Sequence, residues 1–545
     1  MQRSSLQDLA VQQFDIVVIG GGITGAATAR DAALRGLSVA LVEKGDFAGG
    51  TSSRSTKLIH GGLRYLEQFE FKLVREACRE RELLLKLAPH LSAPRPFIYL
   101  NYHGYPESMF KLNVGLTLYD WFAGNPAERK HRMLPTKELL REEPCLNSAG
   151  LNGGAWYYDS LTDDARLTID TMKAACAAGA LASNYMEVTG FVRKSGQIAG
   201  VKVIDRLSGD AGEIRARQVI NATGVWADEV RLLEEQVTDR RMRPAKGVHI
   251  VLSKQDFPLN HAVFLRAPRD RRVVWPIPAL DGDLVYVGTT DTDYKDSLDH
   301  VTATKDDVTY LLEVANFTIP GRNLTREHIV ASWAGLRPLV RPQANVSTSK
   351  TSREHQIIAS PSGLLSITGG KLTTCRVMGL QVVDAALRAM ERRDGLKGAG
   401  PSTSHLHPIS GGDINADFHA RVKAAASSLG LSTAVADRLA SRFGSNFFAI
   451  ARLMDTDPTA RRALGAHNVT AAEVRYAVQE EMACTLTDFM DRRSALVYWN
   501  RDGGASIAEA AAAEMGRLLN WSEAEQQRQI AAYRDWVEAN RSFPA

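Results

Sequence analysis

Cysteine is scarce in this chain. Its five residues, Cys78, Cys145, Cys176, Cys375 and Cys484, lie far apart among 545, with no CxxC pair. An odd, scattered set argues against a disulfide framework or a zinc site and fits reduced thiols in a cytosolic compartment. Long apolar runs are missing too, none reaching the ~18 residues of a spanning helix. The opening MQRSSLQDLAVQQ lacks the apolar core of a signal peptide. The chain is therefore expected in the cytoplasm, with any membrane contact peripheral and on the cytoplasmic face of the inner membrane. A strong charge of one sign is also absent. A net +4 argues against a nucleic-acid partner while leaving room for local basic patches. No repeat of solenoid period is present, and no metal site is expected.

What is present is the composition of a soluble globular protein, 44% hydrophobic and 23% charged, long enough for three or four domain-sized units. Residues 14–44, FDIVVIGGGITGAATARDAALRGLSVALVEK, organise the rest. The β-branched run 15–19 reads as a strand buried on both faces. It ends in Gly20-x-Gly22-x-x-Gly25, where the glycines serve the turn, the approach of a pyrophosphate and the packing of helix on strand. A helix over about 23–34, including Ile23 and Thr24, points its positive end at the phosphates. Gly36 stops it, and a second strand over 39–42 ends at Glu43, placed for an adenosine ribose hydroxyl. The unit binds a dinucleotide.

The following tract, GTSSRSTKLIHGGLRYLE, packs hydroxyls, a Lys, a His and glycines into residues 50–67. In combination with the glycine turn it resembles FAD-dependent, respiratory glycerol-3-phosphate dehydrogenases, and further matches extend the resemblance over nearly the whole chain. The implied cofactor is FAD. Its implied contacts in this tract are Thr51, Ser52, Ser53, Lys57, Leu58, His60, Gly61 and Gly62.

Residues 68–95 read as one long amphipathic helix closed by Pro89 and Pro94. Within 108–132, apolar and aromatic residues including Phe110 and Trp121 precede a basic flank, Arg129, Lys130, His131 and Arg132. On the residues alone, a core helix and a solvated basic loop is the stronger reading. The resemblance raises an interfacial contact with an anionic membrane, since that family is monotopic and reduces membrane quinone. GGAWYYDS, 153–160, reads as an extended edge. A helix over 163–180 and a hairpin over 189–206 lead to a buried strand ending in Ala222-Thr223-Gly224, with Trp226 beyond, which matches the second glycine-bearing strand end of FAD proteins. Residues 240–350 alternate as antiparallel strands. A strand over 364–367 meets Gly369-Gly370 and a helix beginning near Lys371, with Leu372 and Thr373 in its first turn. GLKGAGPSTSHLHPISGGD, 395–413, reads as a linker. Beyond it the chain is helical, with capping boxes at 470–473 and 522–525.

The expected fold is α/β: a Rossmann-like FAD-binding domain of the glutathione-reductase/D-amino-acid-oxidase type, an antiparallel substrate-binding sheet and an all-α C-terminal domain. The FAD domain is discontinuous over 14–75, 155–230 and 355–395. The substrate domain takes 76–154 and 231–354, a linker 396–413 and the helical domain 414–545.

Oxidising a secondary alcohol at a flavin requires hydride transfer toward N5, a base for the hydroxyl proton and a site holding the substrate in line. A phosphate monoester adds a demand for converging cations, with Arg preferred. The resemblance carries substrate and phosphate contacts onto Arg64, Tyr65, Arg337, Arg353 and Lys371. His249, in Lys246-Gly247-Val248-His249-Ile250-Val251, is the candidate base, with His60 as the alternative, and Arg337 and Lys371 complete the catalytic set. The family usually has Ser where this chain has Val248. A helix N-terminus at Gly369-Gly370-Lys371 suits the negative charge of a reduced flavin. Cys375 has no partner and reads as packing.

The resemblance implies oxidation of sn-glycerol 3-phosphate to dihydroxyacetone phosphate with electrons passed to membrane quinone, and a homodimer is expected. The alternatives are a glycerol-3-phosphate oxidase using oxygen, a D-amino-acid or sarcosine-type oxidase, and a non-catalytic FAD-binding module.

Overall fold

The structure, a computed structural model, describes residues 1–234, 239–280, 282–341, 354–395 and 398–543. Strand Gln13–Ile19 lies at the centre of the first sheet because its β-branched residues bury on both faces. Ala211–Asn221 and Val39–Val42 pair with it in parallel on either side. Leu365–Thr368 and Leu181–Ser183 extend the parallel run outward. Helices Ile23–Leu34, Asp164–Ala177 and Cys375–Asp394 pack with this sheet. A Cβ on Gly379 would stand 2.7 Å from the backbone of Ala27, so the first and third of these helices meet backbone to backbone. The ends of the parallel strands, Ile19, Val42, Asn221 and Thr368, lie side by side, which is where open α/β sheets bind ligands.

Among the described residues the second sheet has ten strands. Ala245–Ser253 is flanked by Leu284–Gly288 and Ile329–Arg337, and the sheet continues through Val273–Pro278, Ala262–Arg266, Ala93–Tyr102 and Leu151–Leu161 to Leu58–Ile59. Its pairings are antiparallel except where Ala262–Arg266 meets Ala93–Tyr102. The stretch read as an extended edge is an interior strand: Leu151–Leu161 pairs with Ala93–Tyr102 on one side and with Arg132–Leu134 and Leu58–Ile59 on the other. Its glycines mark close approach. A Cβ on Gly154 would lie 2.3 Å from the Tyr99 carbonyl oxygen.

The helix expected over 68–95 spans Phe71–Leu87, and the chain from Ala93 is already strand. The tract read as a linker has no helix or strand over 398–413, yet it is pinned down: Arg30 donates to the Ser404 carbonyl at 3.1 Å and Ile409 N–H to the Leu87 carbonyl at 2.9 Å. From Phe418 onward the chain is helical. Thr470 and Glu473 form a complete capping box. At 522–525 only half forms, because Ser522 accepts the Glu525 amide while the Glu525 carboxylate turns to Arg528 and Gln529.

Candidate active site

The glycine turn is built as its spacing requires. Gly20 has φ +109°, and a Cβ there would lie 2.8 Å from the Ala222 carbonyl oxygen. A Cβ on Gly25 would fall 1.9 Å from the Gly20 carbonyl oxygen, so the helix can sit on this strand end only without one. Gly22 starts the helix with no side-chain cap, and the Ser52 hydroxyl accepts the Ile23 amide at 2.9 Å. Glu43 accepts the Gly21 amide at 2.7 Å and the Gly45 amide at 2.9 Å, and its burial pushes the carboxyl's pKa up. A cavity of about 560 Å³ runs from Glu43 along Gly20, Gly22, Ile23, Thr24, Thr51 and Ser52. Ala222, Thr223, Gly224, Trp226, Gly369, Gly370, Lys371 and Leu372 also line it. A helix N-terminus, a carboxylate at the end of the next strand and a cavity of this size between them fit a flavin dinucleotide.

Lys371 precedes a short 3-10 turn, Leu372–Thr374, and the long helix starts at Cys375, four residues later than expected. Thr373 ties this turn to the first glycine-rich tract: its hydroxyl donates to the His60 carbonyl at 3.1 Å and accepts the His60 amide at 3.2 Å. Cys375 is packing, since burial pushes its thiol to about 12.

Beyond the turn lies a cavity of about 180 Å³, bordered by Gly369–Thr373 on one side and by His249, Arg337, Tyr65, His60, Leu58 and Thr56 on the other. Strand register explains the arrangement. Gly247 faces Gly335, with His249 opposite Trp333 above and Ala245 opposite Arg337 below. A Cβ on Gly247 would lie 2.6 Å from Arg337 Nη2 and Thr289 Oγ1, so the bare glycine makes room for the guanidinium. Arg337 donates to the Thr289 hydroxyl and the Thr290 carbonyl at 3.1 Å and faces Asp291 at 3.3 Å.

His249 is 2% exposed, stacks on Trp333 at 4.8 Å and 12°, and places Nε2 3.1 Å from the Thr56 hydroxyl. Burial, followed by the charges of Arg337 and Lys57, holds the ring well below the ordinary histidine range. That environment favours the neutral form of the imidazole. Val248, where the resemblance expects Ser, points its side chain into the apolar core. Tyr65 gathers two cations, with Lys371 Nζ 3.6 Å and the Arg64 guanidinium 5.2 Å from its ring centre. A vestibule of about 300 Å³ adjoins, lined by Gly62, Arg64, Arg266, Arg271, Arg272 and Trp275 among others.

Three residues of the glycine-rich tract stand elsewhere. Lys57 pairs with buried Asp164 at 2.6 Å, 5.4 Å from the Trp333 ring centre, and reaches the site through its charge on His249. Ser53 is buried, with its hydroxyl toward the Gly50 carbonyl. Gly61 donates to Tyr119 and Asp159. Arg353 lies outside the described residues. Thr56, Trp333, Gly247 and Gly288 were not singled out from the sequence. Period-two alternation in WAGLR, which puts 333, 335 and 337 on one face, was the signal available for Trp333.

Residues 15–379 match the model of a family described as FAD dependent oxidoreductase, and 402–526 match that of the C-terminal domain of alpha-glycerophosphate oxidase. Fold, cavity and glycine turn thus define an FAD-dependent oxidoreductase, and FAD is its cofactor. Over 529 residues the chain is 40% identical to the aerobic glycerol-3-phosphate dehydrogenase of Staphylococcus haemolyticus, covering 95% of this chain and 93% of that one. The Bacillus subtilis aerobic glycerol-3-phosphate dehydrogenase is 39% identical over the same coverage. The glycerol-3-phosphate dehydrogenase of Bacillus halodurans, solved with FAD, superposes with a TM-score of 0.82 at 33% identity, covering 99% of this chain and 97% of that one. The chain belongs to the aerobic glycerol-3-phosphate dehydrogenase family.

Proposed function

We propose that the protein oxidises sn-glycerol 3-phosphate to dihydroxyacetone phosphate and passes the electrons to a membrane quinone. The observation that carries this reading is the small cavity in which neutral His249, the Arg337 guanidinium and the Gly369–Thr373 turn share one space. FAD, held by the glycine turn and the walls of the larger cavity, would supply the two-electron acceptor for the substrate's hydride. His249 takes the hydroxyl proton as the carbon–hydrogen bond breaks. Arg337 steadies the charge that develops on the substrate oxygen. Arg64 and Lys371, gathered by Tyr65, hold the phosphate, with Arg353 assigned to the same task. The amides at the start of the 371–375 turn and Lys371 would balance the negative charge of a flavin held there.

Among the described residues no helix is long and apolar enough to cross a membrane. An outward apolar surface supports peripheral contact instead. Phe110 is 77% and Trp121 72% exposed on helix Met109–Ala123, and Phe69, Phe71 and Phe122 continue the aromatic surface. Exposed Lys72 and Lys111 stand in the same segments. The function is tested by assaying dihydroxyacetone phosphate formation with a soluble quinone under nitrogen and, separately, with oxygen alone. Turnover with quinone is expected. Turnover only with oxygen would make the protein an oxidase, and no product in either would overturn the assignment.

A further inference from the structure

The helical domain reaches into the cofactor cavity. Thr487, Arg492 and Trp536 line the same 560 Å³ space as Glu43 and the glycine turn. Arg492 and Arg493 belong to the turn Asp488–Arg493, and both run to one carboxylate, Asp46, three residues beyond Glu43. Arg492 Nε lies 2.5 Å and Arg493 Nη2 2.8 Å from the Asp46 oxygens, and Arg493 Nη1 makes a further contact. The remaining valences of Arg492 go to Asp488 at 2.9 Å and Asp491 at 2.6 Å. Tyr185, which also lines the cavity, donates to Asp488 at 2.7 Å. Asn184 donates to Asp46 at 3.3 Å and to the Met482 carbonyl at 2.8 Å. All five charged groups have side chains under 10% exposed.

This cluster grips the loop that carries Glu43 on one side and leads to Gly50–Ser52 on the other. From these contacts we infer that the C-terminal helical domain is part of the FAD-binding apparatus: docking of segment 484–496 onto Asp46 and binding of FAD stabilise one another. The physical reason is linkage. A ligand that binds only the closed arrangement of loop and helix turn stabilises that arrangement by its own binding free energy. A buried charge pair separated without its partner is costly, so the turn and the loop are held together or released together.

The test compares the full-length chain with and without FAD by hydrogen–deuterium exchange. FAD is expected to slow exchange in 484–496 as well as in the glycine turn 20–25. Slowing at 20–25 with 484–496 unaffected would overturn the inference. Asp46→Asn is expected to weaken FAD binding, read by flavin fluorescence, about tenfold or more and to abolish the protection of 484–496. Should that variant fail to fold, Thr487→Trp puts bulk into the cavity wall without removing an ion pair. It is expected to weaken FAD binding about tenfold at unchanged melting temperature of the FAD-free chain. Unchanged FAD affinity in Thr487→Trp would contradict the helical domain's place in the cavity wall.

Discussion

Gly288 and His249 face each other across paired strands so closely that a Cβ on Gly288 would lie 1.9 Å from His249 Cδ2. Trp333 holds the opposite side of the imidazole. The ring therefore occupies a slot whose floor is a missing side chain. Gly288→Ala should tilt the ring out of line, and a displacement of about 1 Å is enough to cost ~10²-fold in rate. Stopped-flow flavin reduction should show that loss with substrate affinity changed far less. An unchanged reduction rate would mean that the position of His249 does not matter.

Removing the imidazole should do more. His249→Ala is expected to slow flavin reduction by about 10² to 10⁴-fold, the usual span for a lost acid–base group. An unaffected rate would shift the proton to His60 or another group.

The pH dependence has a definite sign. Burial, Arg337 and Lys57 all favour the neutral ring, so proton acceptance should persist well below pH ~6.5 before the rate falls. Arg337→Gln removes one of those charges, raises the His249 pKa, and should move the acid limb of flavin reduction to higher pH. The same shift bears on stability. His249 takes up a proton more readily unfolded than folded, so its contribution is present above about 6.5 and is lost as pH falls below it. Urea titrations at pH 7.5 and 5.5 should show a smaller drop in His249→Gln than in the unaltered protein.

Lys57 and Asp164 form a buried pair at 2.6 Å. Asp164→Asn strands the ammonium and should destabilise the protein by about 3–5 kcal/mol. Lys57→Met with Asp164→Asn removes both charges, keeps an acceptor for the Ser55 amide and hydroxyl, and should recover most of the loss in thermal unfolding. If the double variant were no more stable than the single one, the pair would not be the source of the cost.

Phe110 and Trp121 project from helix Met109–Ala123 while Leu112, Leu116 and Tyr119 bury its other face. Phe110→Ser with Trp121→Ser should weaken sedimentation with anionic vesicles about tenfold while leaving the melting temperature within ~1 °C. Retained vesicle binding would place the membrane contact elsewhere.

Sequence reading worked best where a local rule decides the outcome. Gly20, Gly22 and Gly25 follow strand-turn-helix geometry over a dozen residues, and Glu43 follows from the length of the next strand. Sheet register is not local. The Gly247–Gly335 pair that opens the site joins strands far apart in the chain, and the Thr56 hydroxyl bound to His249 lies 193 positions before it. Lys57 sits among cofactor-lining residues, but Asp164, 107 positions later, claims its ammonium. GGAWYYDS reads as an extended edge, whereas Leu151–Leu161 lies inside the sheet, where Gly154 lets the Tyr99 backbone approach closely.

The most direct test of the proposed chemistry is the anaerobic flavin absorbance of the purified holoprotein on adding sn-glycerol 3-phosphate, with glycerol and a D-amino acid as controls. Bleaching by the phosphate ester alone is the result expected of the proposed function, in which Arg64 and Lys371 hold the phosphate. Bleaching by the D-amino acid, or by none of the three, would contradict the substrate assignment while leaving the FAD fold in place.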